Sequence, residues 1–473
     1  MIMDLDRRHT VKQLLLLVLL AGMLQACHKG FLNAKPSTNL GVPTTLSDFQ
    51  ALLDNTYVFG QVPTLGEASA DNYFFSYTYW LALDTREKNA YVWAADIFQG
   101  QGGQQDWNTP YQQVFYANVV LDGLGSQPNQ DSVAEWNALE GAALFLRAFA
   151  FYNIAQVFAP AYDSSLLNSP LGIPLRLHAD INPPSTRSTI GQTYQQIIQD
   201  LDSAERFLPA GAPNAYRNRP IRLAAQALLA RVYLSMRMYP QARAYADSAL
   251  QAYSTLIDYN TLDTLSPVPI NLLNTETLYQ ASFLGAAAGV TTYLTALTGG
   301  PFHPSTRIDT VLIQSYDSND LRRVIYYYYK PPDSSYLKGS YTGLFIPFGG
   351  LATDELYLIR AEGAARDSDA GSAMADINTL LSNRWRRGTF PGYTVGSARE
   401  ALDTVLLERR KELAFRGLRW TDLRRLNAEG AKDTLTRNLN GTVYTLAPNS
   451  DLYVLPIPPD VINLSAIAQN VRD

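Results

Sequence analysis

The feature that most constrains this chain is the stretch LLARVYLSMRMYPQARAYADSAL, residues 228 to 250, where two helices meet at Tyr239-Pro240. Before the break, Leu229, Ala230, Tyr233 and Leu234 recur at helical spacing; after it, Ala242, Ala246, Ala249 and Leu250 do the same. Proline lacks an amide hydrogen yet fits a first helical turn, so Pro240 is expected to end one helix and begin the next. Ala230 and Ala242, twelve residues apart, let the helices approach closely, while Tyr233 and Leu250 fill the space beside them. A hairpin of this kind buries its apolar face fully only against further hairpins.

A second copy exists. Ala361 and Ala373 repeat the spacing and are followed by Ile377 and Leu380. Two copies in register have the pattern of a tetratricopeptide repeat and predict a mainly α chain on a scaffold of helical hairpins; two unrelated hairpins are the alternative. Further helices are expected near Leu46 to Leu53, from Trp107 through Tyr111, Val114, Phe115 and Asn118, and over 136 to 158. Arg147, a charge among large apolar groups of that last helix, requires a carboxylate or carbonyl partner. Thr189 and Gln192 have capping-box spacing ahead of a face formed by Tyr194, Ile197, Ile198, Leu201, Ala204 and Leu208. Leu402, Leu406, Arg409 and Leu413 mark a helix running into ERRKELAFRGLRWTDLRR (408 to 425), with Glu412 and Arg416 in the favourable i, i+4 order. Dense charge is commonly a solvated face, but Leu413, Phe415 and Trp420 interrupt it, so part of it must be packed.

Two segments break the helical texture, about 71–107 and 255–350. The first carries DNYFFSYTYW, YVW and QGQGGQQDW, aromatics interleaved with turn formers, where binding residues tend to be placed. A local mini-core of buried aromatics is the competing reading of each ring. The second is a loop-rich, partly β insertion in which Ile325 to Lys330 reads as a strand, with Phe302, His303, Tyr336, Tyr341 and Phe345 as a further aromatic set. Tyrosine is abundant, 29 of 473 residues, and joins a flat apolar ring to a hydroxyl, which suits polar ligands with apolar faces.

The N-terminus reads as an export signal over residues 1 to 26. Arg7, Arg8 and Lys12 precede an apolar run from Leu14 to Leu24, too short to span a bilayer. The run ends in LQAC, residues 24 to 27, which resembles a bacterial lipobox. Cys27 is the expected lipidation site and first mature residue; as the one cysteine in the chain it leaves no intrachain disulfide possible. Acyl chains there would tether an otherwise soluble body of residues 27 to 473, read as a single domain.

Several function classes lose support. A net charge of −5 makes nucleic acid an unfavourable partner. Four histidines, of which His9 lies in the leader and His28 beside the anchor, leave only His178 and His303 for any metal cluster. No phosphate loop, HExxH or GxSxG pattern occurs. DSND (317 to 320) begins like a calcium loop but has Arg322 where glycine is needed. The chain is read as a non-enzyme without cofactor or metal; paired carboxylates have no motif of their own, so a glycosidase is unsupported by these patterns rather than excluded by them.

The blocks together carry a resemblance. ERRKELAFRGLRWTDLRR is similar to the C-terminal signature of the SusD/RagB family of outer-membrane nutrient-binding lipoproteins, and YVLPIPPDVI (453 to 462) with Asn470 to its closing segment. FLNAKP, FLRAFAFYNIAQVF with LGIPLR, YQQIIQDLDSAERFLP, the 228–250 hairpin, SYDSNDLRR and ELYLIRAEGAAR match in order. Arg416 and Leu418 depart from it, standing where the family usually has an acidic and a polar residue. The resemblance implies a SusD-like body whose loop-rich segments carry the ligand face. It implies a lid on a SusC-like TonB-dependent outer-membrane barrel, lipid-anchored and facing the cell exterior, that delivers glycan to the barrel. A peptide-binding, RagB-like lid and a tetratricopeptide protein–protein scaffold are the alternatives. Since the resemblance places both aromatic segments on one face, Tyr73, Tyr77, Trp80, Trp93, His303 and Tyr336 are the expected ligand contacts, with Asn72 supplying hydrogen bonds. Trp80 is the favoured anchor because its neighbours are polar and turn-forming, whereas Trp136, Trp385 and Trp420 sit in helical patterns.

Overall fold

The structure, a computed structural model, describes residues 43–126, 133–169, 171–283, 306–330 and 334–472. Among them are ten helices of eight or more residues: α1 (Leu46–Leu53), α2 (Gln105–Gly125), α3 (Val133–Phe158), α4 (Ile190–Phe207), α5 (Arg222–Ser235), α6 (Tyr239–Ala252), α7 (Thr353–Arg366), α8 (Ala370–Ser382), α9 (Ala398–Glu412) and α10 (Arg419–Asn427). Helices α2 to α8 pack each against the next, and α9 lies on α7 and α8. The two hairpins read from the sequence, α5–α6 and α7–α8, are therefore spatial neighbours through α6 and α7, although residues 253–352 separate them in the chain.

Both hairpins turn the same way. Helix α5 stops at Ser235 because Arg237 takes a left-handed φ of 62°, and Met238 N–H donates to Tyr233 O at 2.9 Å. Pro240 then sits in the first turn of α6, so it starts the second helix while the αL residue, rather than the proline, ends the first. Ser368 repeats the φ of 62° after α7, and Asp369 caps α8 by accepting from Ser372 N–H at 3.0 Å. Gly363 lets the hairpins meet: a Cβ there would stand 2.7 Å from Arg243 Cβ on α6. Arg243 joins Asp367 and Asp369, and Arg360 joins Asp247 and Asp376, across the same seam.

Helix α3 is long and apolar enough to cross a membrane, yet 83% of its most apolar window is buried inside the protein, so it is the central strut of the scaffold. Arg147 within it finds its expected carboxylate. Its Nε and Nη2 donate to Asp200 at 2.8 and 2.7 Å, and Nη1 donates to Asn118 at 2.9 Å, which ties α2, α3 and α4 together. The capping box at Thr189 and Gln192 forms as read.

The helix expected to run through 408–425 is broken. Phe415 and Gly417 take φ values of 60° and 76°, ending α9 at Glu412 and restarting the chain as α10. The Glu412–Arg416 pair consequently does not form. Glu412 instead accepts from Arg322 (3.0 Å) and Arg384 (2.7 Å), while Arg416 donates to Asp354 at 3.0 Å beneath the rings of Tyr341 and Phe348. Arg322 is fully buried between Asp320, Glu408 and Glu412, so the second carboxylate of the DSND segment, that of Asp320, faces a guanidinium. Charges removed from water need this density of partners, and the pairing specifies which blocks must meet.

The insertion is stitched to the N-terminal part by short strands. Gln61–Val62 pairs in parallel with Ser282–Phe283, and Tyr73–Phe75 pairs antiparallel with Thr306–Ile308. Thr277–Tyr279 pairs with Leu351–Ala352, and Tyr327–Lys330 with Ser334–Leu337. Ile325, expected to open that last strand, instead ends a short helix, Arg322–Ile325. A C-terminal hairpin, Leu435–Leu439 with Thr442–Leu446, is the remaining pair among the described residues.

Candidate ligand-binding surface

The first aromatic segment is two layers. The lower layer is core. Tyr73, Phe75, Tyr91 and Trp93 are buried, and the Tyr73, Phe75 and Tyr91 rings meet at 4.9–5.8 Å between centroids. Their polar ends are satisfied internally: Tyr73 hydroxyl donates to Ala68 O (2.5 Å) and Trp93 Nε1 to Ser69 O (2.9 Å). Arg437, from the C-terminal hairpin, stands 4.3 Å from the Tyr91 ring and 5.2 Å from that of Trp93, and donates to Tyr73 O and Ala70 O. Asn72 is fully buried and donates to Glu67 Oε1 at 2.6 Å. The expectation that Asn72, Tyr73 and Trp93 face a ligand is thus corrected: alternation along strand Tyr73–Phe75 turns Tyr73 inward, the turn at Trp93 (φ 56°) does the same for Trp93, and the hydrogen bond to Glu67 holds Asn72 inside. Tyr341 of the second set is likewise buried and donates to Glu276 at 2.5 Å.

The upper layer is a one-and-a-half-turn helix, Tyr77–Ala82, with no buried residue. Ser76 caps it, accepting from Tyr79 N–H at 3.3 Å. Tyr77 and Trp80, three apart, share a face; their rings are stacked at 6.0 Å and 27°. Trp80 is half-buried, Tyr77 is 39% exposed and Leu81 49%, so the helix presents an apolar ledge to solvent. The indole Nε1 donates to Lys88 O (3.2 Å), fixing the ring, which also meets the Tyr444 ring at 6.3 Å between centroids. Asp84 caps the following helix Thr85–Tyr91 by accepting from Glu87 N–H at 2.9 Å. Burial, then the neighbouring Asp84, pushes the Glu87 carboxyl up to about 7.

Tyr444 comes from the far C-terminal hairpin and was missed in the sequence, where it is a lone tyrosine among alternating residues. Tyr328 and Tyr329, 41% and 55% exposed, were seen only as part of a strand. Tyr336 is paired opposite Tyr328 in that strand hairpin, its side chain lying outside the described set, and His303, Phe302 and Cys27 lie outside the described residues. The structure therefore brings Tyr77 and Trp80 together and adds Tyr444 to them.

Comparison with known proteins agrees with this architecture. A family model described as SusD-like_3, "Starch-binding associating with outer membrane", matches residues 30–234, and the SusD family model matches 353–471. SusD-like protein P2 of Formosa agariphila is 22% identical over 416 residues, covering 77% of this chain and 79% of its own. Among solved structures, a SusD superfamily protein of Bacteroides thetaiotaomicron superposes with a TM-score of 0.74 at 21% identity, over 90% of this chain and 100% of that one. A putative sugar binding protein of Bacteroides vulgatus gives 0.72 at 21% identity, over 91% and 99%. A SusD-like carbohydrate binding protein of the same species gives 0.66 at 17%, over 90% and 97%. By the blocks in its sequence, the family models that match them and the helical architecture it shares with these structures, this chain belongs to the SusD/RagB family.

Proposed function

We propose that this protein is a surface-tethered nutrient-binding lipoprotein that captures oligosaccharide on the Tyr77–Trp80–Tyr444 surface and delivers it, without covalent chemistry, to a SusC-like TonB-dependent barrel. The anchor in this reading is Cys27, in the outer membrane and facing the exterior. One observation carries the choice of surface: Trp80 is fixed by its indole hydrogen bond and by ring contacts with Tyr77 and Tyr444, yet is only half-buried. Sugar rings present C–H groups that stack on such faces, and a pre-fixed ring loses little entropy on binding. The family description as starch-binding, and solved relatives described as sugar or carbohydrate binding, support the same ligand class. His303 and Tyr336 remain part of the proposal as the contribution of the second segment; Asn72, Tyr73 and Trp93 do not.

The test is a binding screen of the mature chain, in a detergent without sugar headgroups, against glycans and peptides, repeated with Trp80→Ala. Glycan binding that weakens on substitution is expected. Binding of peptides alone would replace the glycan reading with the RagB-like one, and glycan binding indifferent to Trp80 would move the site elsewhere.

A further inference from the structure

A second cleft, of about 230 Å³, opens between α2, the loop 174–185 and the C-terminal helix Pro459–Ser465. None of it belongs to the Trp80 surface. Its wall is one face of α2, where Trp107, Tyr111 and Phe115 recur four residues apart, and Phe115 is 37% exposed. Deep in the cleft the polar atoms are already taken. Tyr111 hydroxyl donates to Pro174 O (2.9 Å), Asn118 Nδ2 donates to Arg176 O and His178 O, and Asn118 Oδ1 accepts from Arg147. That leaves flat apolar faces at the bottom.

The rim differs. His178 holds Asp122 through Nδ1 at 2.9 Å, and its Nε2 has no partner among the described residues. Asp180 Oδ1 is taken by Asn182, while its Oδ2 has no partner among the described residues. Ser185 accepts from Arg176 at 3.4 Å and keeps its own hydroxyl proton. Ile181 lines the cleft and is 76% exposed, an apolar side chain of that size standing at the mouth. Arg176 and Asp180 cancel in charge, so the cleft has no net sign to offer an ion.

We propose that this cleft binds one neutral sugar ring, its C–H face against Phe115 and Tyr111 and its hydroxyls toward His178, Asp180 and Ser185. The occupant is an uncharged ring because the wall is flat and apolar, the rim mixes donors with acceptors, and the formal charges balance. It is one ring, because clefts that enclose whole drug-sized ligands run to roughly 300–1,000 Å³ and this one is smaller. The cleft thus acts as a second foothold for a glycan, and two weak sites on one chain raise the avidity for a polymer long enough to reach both.

The test is saturation-transfer NMR on the mature chain in sugar-free detergent, with the methyl β-glycosides of glucose, galactose and xylose as probes. Transfer to ring protons of at least one probe is expected. It should persist in Trp80→Ala, and fall fivefold or more in Phe115→Ala and in Ile181→Asp, both of which alter exposed side chains. Absence of transfer to all three probes overturns the proposal, as does transfer indifferent to Phe115. Transfer abolished by Trp80→Ala alone also overturns it, while leaving the Trp80 surface standing.

Discussion

The indole of Trp80 packs against the ring of Tyr444 at 6.3 Å between centroids, joining a helix near the N-terminal end of the described chain to a hairpin near its C-terminal end. The same hairpin sends Arg437 beneath the surface, over Tyr91 and Trp93. One element therefore supplies both an edge of the exposed platform and the cation that holds its floor.

Removing the platform should affect binding more than folding. Trp80→Ala is expected to cost on the order of 2 kcal/mol in glycan affinity, roughly thirtyfold, as truncation of an anchoring aromatic does. Isothermal titration checks the affinity, and a thermal melt measured alongside should shift by only a few degrees, because the ring is half-buried and gives up a single hydrogen bond.

Removing the floor should do the reverse. Tyr73→Ala or Trp93→Ala empties a packed site and is expected to lower stability by about 3–5 kcal/mol. Urea denaturation reads this directly. A variant at either position that melts like the parent but loses ligand would restore the reading of these rings as contacts.

Arg416 offers a test of the buried charges. Arg416→Met leaves Asp354 without its cation at 3.0 Å, and breaking one side of such a pair costs about 3–5 kcal/mol. The double variant Arg416→Met with Asp354→Leu should recover most of that loss in the same urea experiment. If the double variant is as unstable as the single one, the ring packing of Arg416 on Tyr341 and Phe348, rather than the ion pair, is what matters.

Stability should also depend on pH through Glu67. Burial raises its carboxyl to about 7, partly opposed by hydrogen bonds from Asn72 and the Gly417 amide. The folded state thus holds the proton more tightly than the unfolded chain, whose ordinary value is 4.5. That contribution is fully present below 4.5, declines as pH rises, and is lost above about 7. Glu87 and Glu276, also raised to about 7 by burial, act in the same direction. Glu67→Gln should reduce the slope of stability against pH between about pH 5 and about 7.5, leaving the part that Glu87 and Glu276 contribute, as urea denaturation across that range would read.

The anchor is tested separately. Cys27→Ala should leave the chain unlipidated, since no other sulfur of a cysteine exists to form the thioether. Mass spectrometry and membrane fractionation check it, and a Cys27→Ala protein still acylated at the membrane would end the idea.

What the sequence determined by itself was set by local spacing. Apolar residues at helical intervals, a proline placed for a first turn, and a threonine three residues before a glutamine express their consequences within one or two turns of chain; α1, α4 and the α5–α6 and α7–α8 hairpins follow from them. The need of Arg147 for a partner was equally legible, since a charge in an apolar helix cannot go unpaired. Identity of that partner was not, because Asp200 lies on another helix. The aromatic segment shows the limit most clearly. Tyr73 and Tyr77 stand four residues apart in the same run, one fully buried and the other exposed, and composition cannot separate them. What separates them is whether Arg437 and the strand Thr306–Ile308 arrive from distant parts of the chain to cover a ring. The same holds at Arg416, whose spacing from Glu412 would pair them in a continuous helix. Left-handed backbone at Phe415 and Gly417 breaks that helix, and Asp354 becomes the carboxylate within reach. Contacts made across hundreds of residues depend on how the scaffold closes, and only the tertiary structure decides them.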